Sequence, residues 1–129
     1  MDIKTHLLAH KQLLGTPIEV VEGISATVKL EAIDNMIVDD RGLVHGGFTF
    51  SLADYAAMLA VNHPNVVIGS ANIRFTSPVK CGDIMIAKAV IVEEMKNKRL
   101  VNVEVYVDNE TVFKGDLTCY VLEKHVLDS

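Results

Sequence analysis

A single long apolar stretch in the first half of the chain constrains the fold more than any other feature. Residues 42–73 carry only one formal charge, that of Asp54. Within this stretch, residues 46–62 lack the alternation of a β-strand and are rich in Ala, Leu and Met, which predicts an α-helix. The predicted helix is apolar on nearly all sides, as expected for a helix buried inside a domain. Its wholly apolar run, residues 56–61, is far shorter than the roughly 20 residues that a membrane-spanning helix needs.

The segments on either side of this helix have the pattern of β-strands. Residues 24–31 alternate between apolar and polar side chains, which indicates a half-buried strand. Residues 99–107 alternate in the same way, with four valines on one face. The same reasoning predicts further strands over residues 18–22, 65–77, 83–93 and 111–122, and a short helix over residues 3–14. This order favours an α+β domain in which the long helix packs on a mostly antiparallel sheet.

The composition limits the partners that the chain is expected to bind. With 129 residues we expect one domain over residues 1–129, and the mean hydropathy of +0.29 indicates apolar surface buried against a second copy. A net charge of −5 and an aromatic content of 5% argue against nucleic-acid binding. Cys81 and Cys119 form no zinc-type pattern and suit free thiols in a reducing compartment. Without a recognisable secretory signal, we expect a cytoplasmic protein with no membrane partner.

Asp54 is the first candidate for chemistry. An aspartate inside a buried helix is disfavoured by helix propensity and by the cost of desolvating its charge. It lies about two turns after the predicted start of the helix, beyond the first turn in which the helix dipole favours a carboxylate. A structural role stays open, in which Asp54 pairs with a tyrosine, a histidine or a partner subunit.

The residues Val44-His45-Gly46-Gly47 at the predicted helix start are the second candidate. Two glycines let a ligand approach the backbone closely, and free N–H groups there favour the negative charge of an oxyanion formed from a thioester carbonyl. His45 could instead anchor the loop through hydrogen bonds. Eight residues span roughly 12 Å along a helix, so Gly46 and Asp54 of one chain cannot both reach one small reacting centre. An antiparallel second copy would bring Asp54 of one chain toward Gly46 of the other.

Two segments of the chain resemble a known family. Residues 45–56, HGGFTFSLADYA, resemble the HGGxxFxLADxA signature of the PaaI-like hotdog-fold acyl-CoA thioesterases. Residues 72–83, NIRFTSPVKCGD, are similar to the strand and turn that follow the helix in that family. The resemblance extends over about residues 18–122. It implies a hotdog fold, in which a curved, mostly antiparallel sheet of about six strands wraps a long central helix, and a homodimer or homotetramer with active sites at the dimer interface.

The resemblance also implies roles for individual residues. Asp54 matches the family's catalytic carboxylate, a general base or nucleophile, and Gly46 matches the residue whose N–H polarises the thioester carbonyl. Asp39 occupies a position where the family commonly has Asn or Gln; it could raise the pKa of Asp54 by like-charge repulsion, or it could turn away. The other candidates are His45 and Gly47 in catalysis, Phe48, Tyr55, Met58 and Ile68 in the acyl pocket, and Ser70 as an approximate counterpart of a family Ser or Thr. Apart from the resemblance, Arg41, Arg74 and Lys80 could meet the CoA phosphates, or they could be solvated surface cations. No cofactor and no metal are implied.

Three functions follow from these observations, and hydrolysis of an acyl-CoA thioester is the one we favour. Residues 71–76, 86–89 and 111–115 also resemble the effector domain of FapR, a bacterial fatty-acid regulator that senses malonyl-CoA, lacks the helical carboxylate and carries a separate DNA-binding region. This second resemblance implies a non-catalytic acyl-CoA-binding module. Such a module has no use for Asp54, and we expect this chain to have no spare length for a DNA-binding region. A 3-hydroxyacyl thioester dehydratase would pair His45 with Asp54, but the surrounding residues match the thioesterase pattern better.

Overall fold

One long helix and a six-stranded antiparallel sheet make up most of the molecule. The computed structural model describes residues 1–128. The elements are α1 (Lys11–Leu14), β1 (Thr16–Val21), β2 (Ser25–Glu31), a 3₁₀ turn (Asp34–Met36), α2 (Gly46–Val61), β3 (Val66–Phe75), β4 (Ile84–Met95), β5 (Lys98–Val107) and β6 (Glu110–Val121). The strand order is β1-β2-β4-β5-β6-β3, and α2 contacts all six strands. A helix enclosed by an antiparallel sheet in this way is the hotdog fold that the resemblance implied.

Helix α2 forms the centre of the core, as its apolar sequence predicts. Ten of its 16 residues are buried. The helix ends where Asn62 takes up a left-handed conformation with φ 53° and donates its backbone N–H to the Met58 carbonyl. Pro64 follows at a position where it cannot continue a helix. The predicted helix over residues 46–62 is therefore confirmed, and it stops one residue earlier than expected.

The strands present their apolar side chains to α2 at every second position. In β5, Val101, Val103 and Val105 are fully buried, whereas Val107 at the end of the strand is only partly buried. The buried apolar side chains of residues 1–128 form one continuous cluster. Strand β3 leaves the end of α2 and pairs with β6, so β3 becomes one edge of the sheet. No helix within residues 1–128 is long and apolar enough to cross a membrane.

The helix predicted over residues 3–14 is wrong for most of its length. Only Lys11–Leu14 is helical, and His6 adopts a positive φ of 53° that no right-handed helix contains. The side chain of Asn62 accepts a hydrogen bond from the backbone N–H of Lys4 and donates one to the carbonyl of Asp2, both at 2.8 Å. A buried side chain from the end of α2 thus pairs with backbone groups of Asp2 and Lys4 and holds the N-terminal segment against the core.

Candidate active site

His45 caps the start of α2 and fixes the loop that precedes it. Its Nδ1 accepts a hydrogen bond from the backbone N–H of Gly47 at 2.8 Å, and its own backbone N–H donates to the Met36 carbonyl at 2.9 Å. The anchoring role left open for His45 is therefore present. Because Nδ1 is an acceptor, the neutral imidazole carries its proton on Nε2, and the exposed ring offers an N–H donor at that atom.

The two glycines at the helix start differ in what their N–H groups can do. A Cβ on Gly47 would lie 2.8 Å from His45 Nδ1, so glycine is required there for the capping hydrogen bond. That bond already occupies the Gly47 N–H, which corrects the expectation that both glycines hold a carbonyl oxygen. Gly46 is the first residue of α2, where helix geometry provides no acceptor for the N–H. Of the two backbone N–H groups predicted to bind an oxyanion, only that of Gly46 stays available.

Asp54 lies halfway along α2 with one carboxylate oxygen enclosed. Its Oδ1 is buried and receives no hydrogen bond from any residue in the described range 1–128. Burial raises the pKa of Asp54 from 3.8 to about 6, because a charged carboxylate loses solvation in apolar surroundings. Within one chain, the expected pairing of Asp54 with a tyrosine or a histidine is therefore not found. The donors that remain for this oxygen are water, a partner subunit or a ligand.

Asp39 is turned away from Asp54. Its Oδ1 accepts hydrogen bonds from the backbone N–H groups of Arg41 at 3.0 Å and Leu43 at 3.1 Å, so it organises its own loop. The raised pKa of Asp54 has burial as its cause, with no contribution from the Asp39 charge. Two possibilities were left open for Asp39. Within a single chain its carboxylate turns to its own loop, and its charge does not raise the pKa of Asp54.

Two adjoining clefts open beside the start of α2. The smaller one has a volume of about 350 Å³ and includes Gly46 and Phe75 in a lining without any charged residue. The larger one, about 660 Å³, includes Arg41 and Lys80. It also carries the carboxylates of Asp39, Asp83, Asp108 and Glu110. The clefts share Pro78, Val79 and Val112 and lie side by side. In the larger cleft four carboxylates stand against two cations, which weakens the expectation that Arg41 and Lys80 hold phosphates.

The remaining predicted binding residues fall into three places. Phe48 stays near the site, with its ring edge-on to His45 at a centroid distance of 6.3 Å. Tyr55 is only 5% exposed and packs against the N-terminal segment, 6.2 Å from the His6 ring, and Met58 is buried in the core. Neither Tyr55 nor Met58 lines the clefts beside Gly46 in a single chain, and their place in an acyl pocket built from two chains stays a prediction. Ser70 and Arg74 are exposed on the edge strand β3, and Ile68 on the same strand is half-buried.

Sequence reasoning gave no role to two residues beside the site. Phe75, at the end of β3, is 55% exposed, and its ring atom Cε1 is 3.2 Å from where a Cβ of Gly46 would lie. Cys119 on β6 is fully buried, and its pKa rises to about 12, mainly through burial and further through the charge of nearby Asp54. The alternation of β6 places Cys119 in phase with the buried Leu117 and could have indicated that it faces α2.

The chain belongs to the thioesterase superfamily, whose family model matches residues 41–114. It is similar to the solved structure of PH1136 from Pyrococcus horikoshii, with 58% identity over 99% of this chain and 98% of that chain and a TM-score of 0.97. It is also similar to a variant of the phenylacetic acid degradation protein PaaI from Thermus thermophilus, with 29% identity over 87% and 97% of the two chains and a TM-score of 0.78.

Two curated relatives are longer than this chain. The Methylthioribose-1-phosphate isomerase of Aquifex aeolicus is 52% identical over 116 residues, which are 90% of this chain and 25% of that protein. The transcription factor FapR of Caldanaerobacter subterraneus is 31% identical over 97% of this chain and 62% of its own length. The chain thus spans a quarter of the first protein and less than two thirds of the second. The activities of those whole proteins are therefore not transferred to it.

The raised pKa of Asp54 predicts a pH-dependent gain in stability for Asp54→Asn. The folded state binds the proton more tightly than the unfolded state, so the stability that this group contributes is present below pH 3.8 and is lost as the pH rises through about 6. We expect the neutral amide to raise the free energy of unfolding at pH 7.5 by on the order of 1–2 kcal/mol, after allowing for partial exposure, and by less at pH 4.

Urea unfolding at the two pH values measures this effect, with Asp39→Asn as the matched control. The exposed Asp39 uses an oxygen that the amide retains, so the control is expected to change stability little at either pH. Equal effects of Asp54→Asn at pH 4 and pH 7.5 would contradict the assigned burial.

Proposed function

We propose that this protein hydrolyses acyl-CoA thioesters at a site shared between two copies of the chain. The observation that carries the proposal is Asp54, a carboxylate on a buried helix whose Oδ1 has no hydrogen-bond donor within residues 1–128 and whose pKa is about 6. A pKa near neutrality suits a group that must be ionised and still accept a proton. Membership of the thioesterase superfamily and similarity to PaaI proteins support the same chemistry.

Gly46 is proposed to bind the thioester carbonyl oxygen through its backbone N–H. The N-terminus of a 16-residue helix adds a favourable dipole for the negative charge that develops on that oxygen. Asp54 then acts in one of two ways. As a general base it takes a proton from water as the water attacks the carbonyl carbon; as a nucleophile it attacks that carbon and forms an anhydride, which water hydrolyses. In both cases the C–S bond breaks, CoA leaves as a thiol after protonation, and the acyl group leaves as a carboxylic acid.

The shared site rests on the distance between these two residues. Gly46 and Asp54 are roughly 12 Å apart along the axis of α2, too far to act on one carbonyl group. Strand β3 is an edge strand with an unpaired side, and antiparallel pairing of β3 with its copy would create a two-fold symmetric dimer. In this dimer the two α2 helices run antiparallel, and Asp54 of one chain approaches Gly46 of the other. A dimer of dimers is compatible with this pairing.

The remaining parts of the proposal concern the CoA moiety and the setting. Arg41 and Lys80 are proposed to contact its phosphates only weakly, since four carboxylates share their cleft. We also propose that residues 1–129 act as one domain, in a reducing compartment such as the cytoplasm, where the free thiols of Cys81 and Cys119 persist.

Replacing Asp54 tests the carboxylate. We expect Asp54→Asn to reduce kcat/KM for acyl-CoA by roughly 10²–10⁴-fold, the usual contribution of acid–base catalysis. For the unmodified protein, kcat/KM should rise with pH through about 6 and then level off, because only ionised Asp54 is active. Release of free CoA from a panel of acyl-CoAs measures both effects. A loss of less than about tenfold in the folded variant would reject this role of Asp54.

Replacing Gly46 with proline removes the N–H donor and keeps the helix. Proline is tolerated at the first position of a helix, and the extended conformation of His45 (φ −62°, ψ 131°) suits a residue before proline. We expect Gly46→Pro to lower kcat by about 10²–10³-fold through loss of an oxyanion donor. Gly46→Ala is the control, because it retains the N–H and introduces the same Cβ beside Phe75. If both variants lose activity equally, the N–H has no special part.

Mixing the two inactive variants tests whether the site is shared. Subunits carrying Asp54→Asn and subunits carrying Gly46→Pro should recover about a quarter of the unmodified activity after random exchange. Half of the dimers are then mixed, and one of their two sites contains both unmodified residues. Unfolding and refolding the mixed subunits, followed by the CoA-release assay, measures the recovery. No recovery, with mixed dimers present by mass spectrometry, would place both residues in a single-chain site or remove one of them from it.

A non-catalytic acyl-CoA sensor is the second candidate, favoured by 31% identity to FapR over 97% of this chain. In that case acyl-CoA would raise the melting temperature of the protein without any release of CoA over hours. The dehydratase alternative has less support, because His45 Nδ1 is already committed to Gly47 and no pairing of His45 with Asp54 is present within residues 1–128 of one chain. Absence of an enoyl thioester product would remove it.

A further inference from the structure

We infer that Phe75 is a specificity-determining residue, whose ring limits the size of the uncharged group that can lie beside the Gly46 N–H. This inference rests on the proposed thioester hydrolysis and adds to it the residue that selects the acyl group. Nothing in the sequence pattern assigned such a role to Phe75. Three features of its surroundings carry the inference: contact with Gly46, a rigid support, and an uncharged cleft.

The ring of Phe75 lies directly against the backbone of Gly46. A Cβ added to Gly46 would be 3.2 Å from Cε1 of the ring and 3.6 Å from both Cδ1 and Cζ. Gly46 has no positive φ, so backbone conformation does not require glycine at this position. The close approach of the ring therefore leaves little room for a side chain at this position. We infer that an acyl group whose carbonyl binds the Gly46 N–H lies beside the same ring.

Phe75 is held in place from behind, although more than half of its surface is exposed. Its ring meets the ring of Phe113 edge-on, at a centroid distance of 5.2 Å and an angle of 79°. Phe113 is fully buried, pairs with Phe75 across β3 and β6, and also contacts the ring of Phe50 at 6.3 Å. Directly after Phe75, the Thr76 backbone N–H donates to the Val112 carbonyl at 2.9 Å. The ring of Phe75 is thus supported on one side by a buried aromatic residue.

The cleft that Phe75 borders is suited to an uncharged ligand of limited size. Its volume of about 350 Å³ is near the lower end of the range for small-molecule sites. All nine of its lining residues are uncharged: Val44, Gly46, Thr49, Phe75, Thr76, Ser77, Pro78, Val79 and Val112. The hydroxyl groups of Thr76 and Ser77 already donate to the Thr111 carbonyl and to Glu110, which leaves the lining largely apolar. Short aliphatic or small aromatic acyl groups match this chemistry, and acyl groups with a terminal carboxylate do not.

A substrate panel measured on ring-replacement variants tests the inference. We propose acetyl-CoA, hexanoyl-CoA and phenylacetyl-CoA as probes, with kcat/KM from CoA release for the unmodified protein, Phe75→Ala, Phe75→Leu and Phe75→Tyr. One methylene in an apolar pocket changes kcat/KM by roughly 10–200-fold. We therefore expect Phe75→Ala to raise the ratio of hexanoyl-CoA to acetyl-CoA turnover by at least about tenfold. Phe75→Leu should give a smaller rise, and Phe75→Tyr, which retains the ring, a change within about twofold.

Phe50→Leu is the matched control. It alters a second ring that rests on Phe113 but does not line the cleft, so the turnover ratio should stay within about twofold. A purely structural role of Phe75 would lower kcat/KM for all three probes alike and leave the ratio unchanged, and that result would overturn the inference. If Phe75→Ala does not fold, as judged by its unfolding transition, Phe75→Leu decides the question by the same ratio.

The failure of this inference is distinguishable from the failure of the proposed function. If the unmodified protein turns over the probes and the Phe75 variants leave the ratio unchanged, only the inference fails. If the unmodified protein releases no CoA from any probe, the proposed function fails. In that case, the ratio of the dissociation constants of S-ethyl-CoA and S-hexyl-CoA replaces the ratio of turnover as the measure of acyl-chain preference. A ratio that Phe75→Ala and Phe75→Leu do not change, or no binding of either thioether, would overturn the inference as well.

Discussion

Enclosure of α2 by the sheet is the constraint on which the rest of the structure depends. A helix that is apolar on nearly every side has to be covered on nearly every side, and all six strands contribute to this cover. The same enclosure removes solvent from Asp54 and raises its pKa.

The start of α2 illustrates how capping separates two chemically similar groups. His45 satisfies the N–H of Gly47, which secures the helix start, and this leaves the N–H of Gly46 free in front of a cleft. The second glycine is required by the His45 ring, and the Phe75 ring leaves little room for a side chain on the first. The two glycines thus contact different side chains, and only Gly46 keeps a backbone N–H that is available to a ligand.

Sequence reasoning succeeded where local periodicity decides the structure, and failed where distant residues decide it. The central helix and the valine face of β5 follow from spacing alone, and both are present. The N-terminal segment is instead held by Asn62, 58 residues away from Lys4 in the chain, a contact that local periodicity does not reveal. The position of Tyr55 under the N-terminal segment depends on the same misjudged element. Motif resemblance located Gly46 and Asp54, but the separate states of the two glycine N–H groups are properties of three-dimensional contacts.

The free-energy cost of leaving the Asp54 carboxylate unpaired bears on the choice between a hydrolase and a sensor. At neutral pH, Asp54 is mostly ionised and opposes folding, because its solvation is not fully replaced by hydrogen bonds. A module that only binds acyl-CoA would be more stable with an amide or an apolar residue at this position. Residues that lower stability are typical of sites where the charge takes part in chemistry. The electrostatic penalty at Asp54 therefore favours hydrolysis, even though FapR and PaaI proteins both resemble this chain.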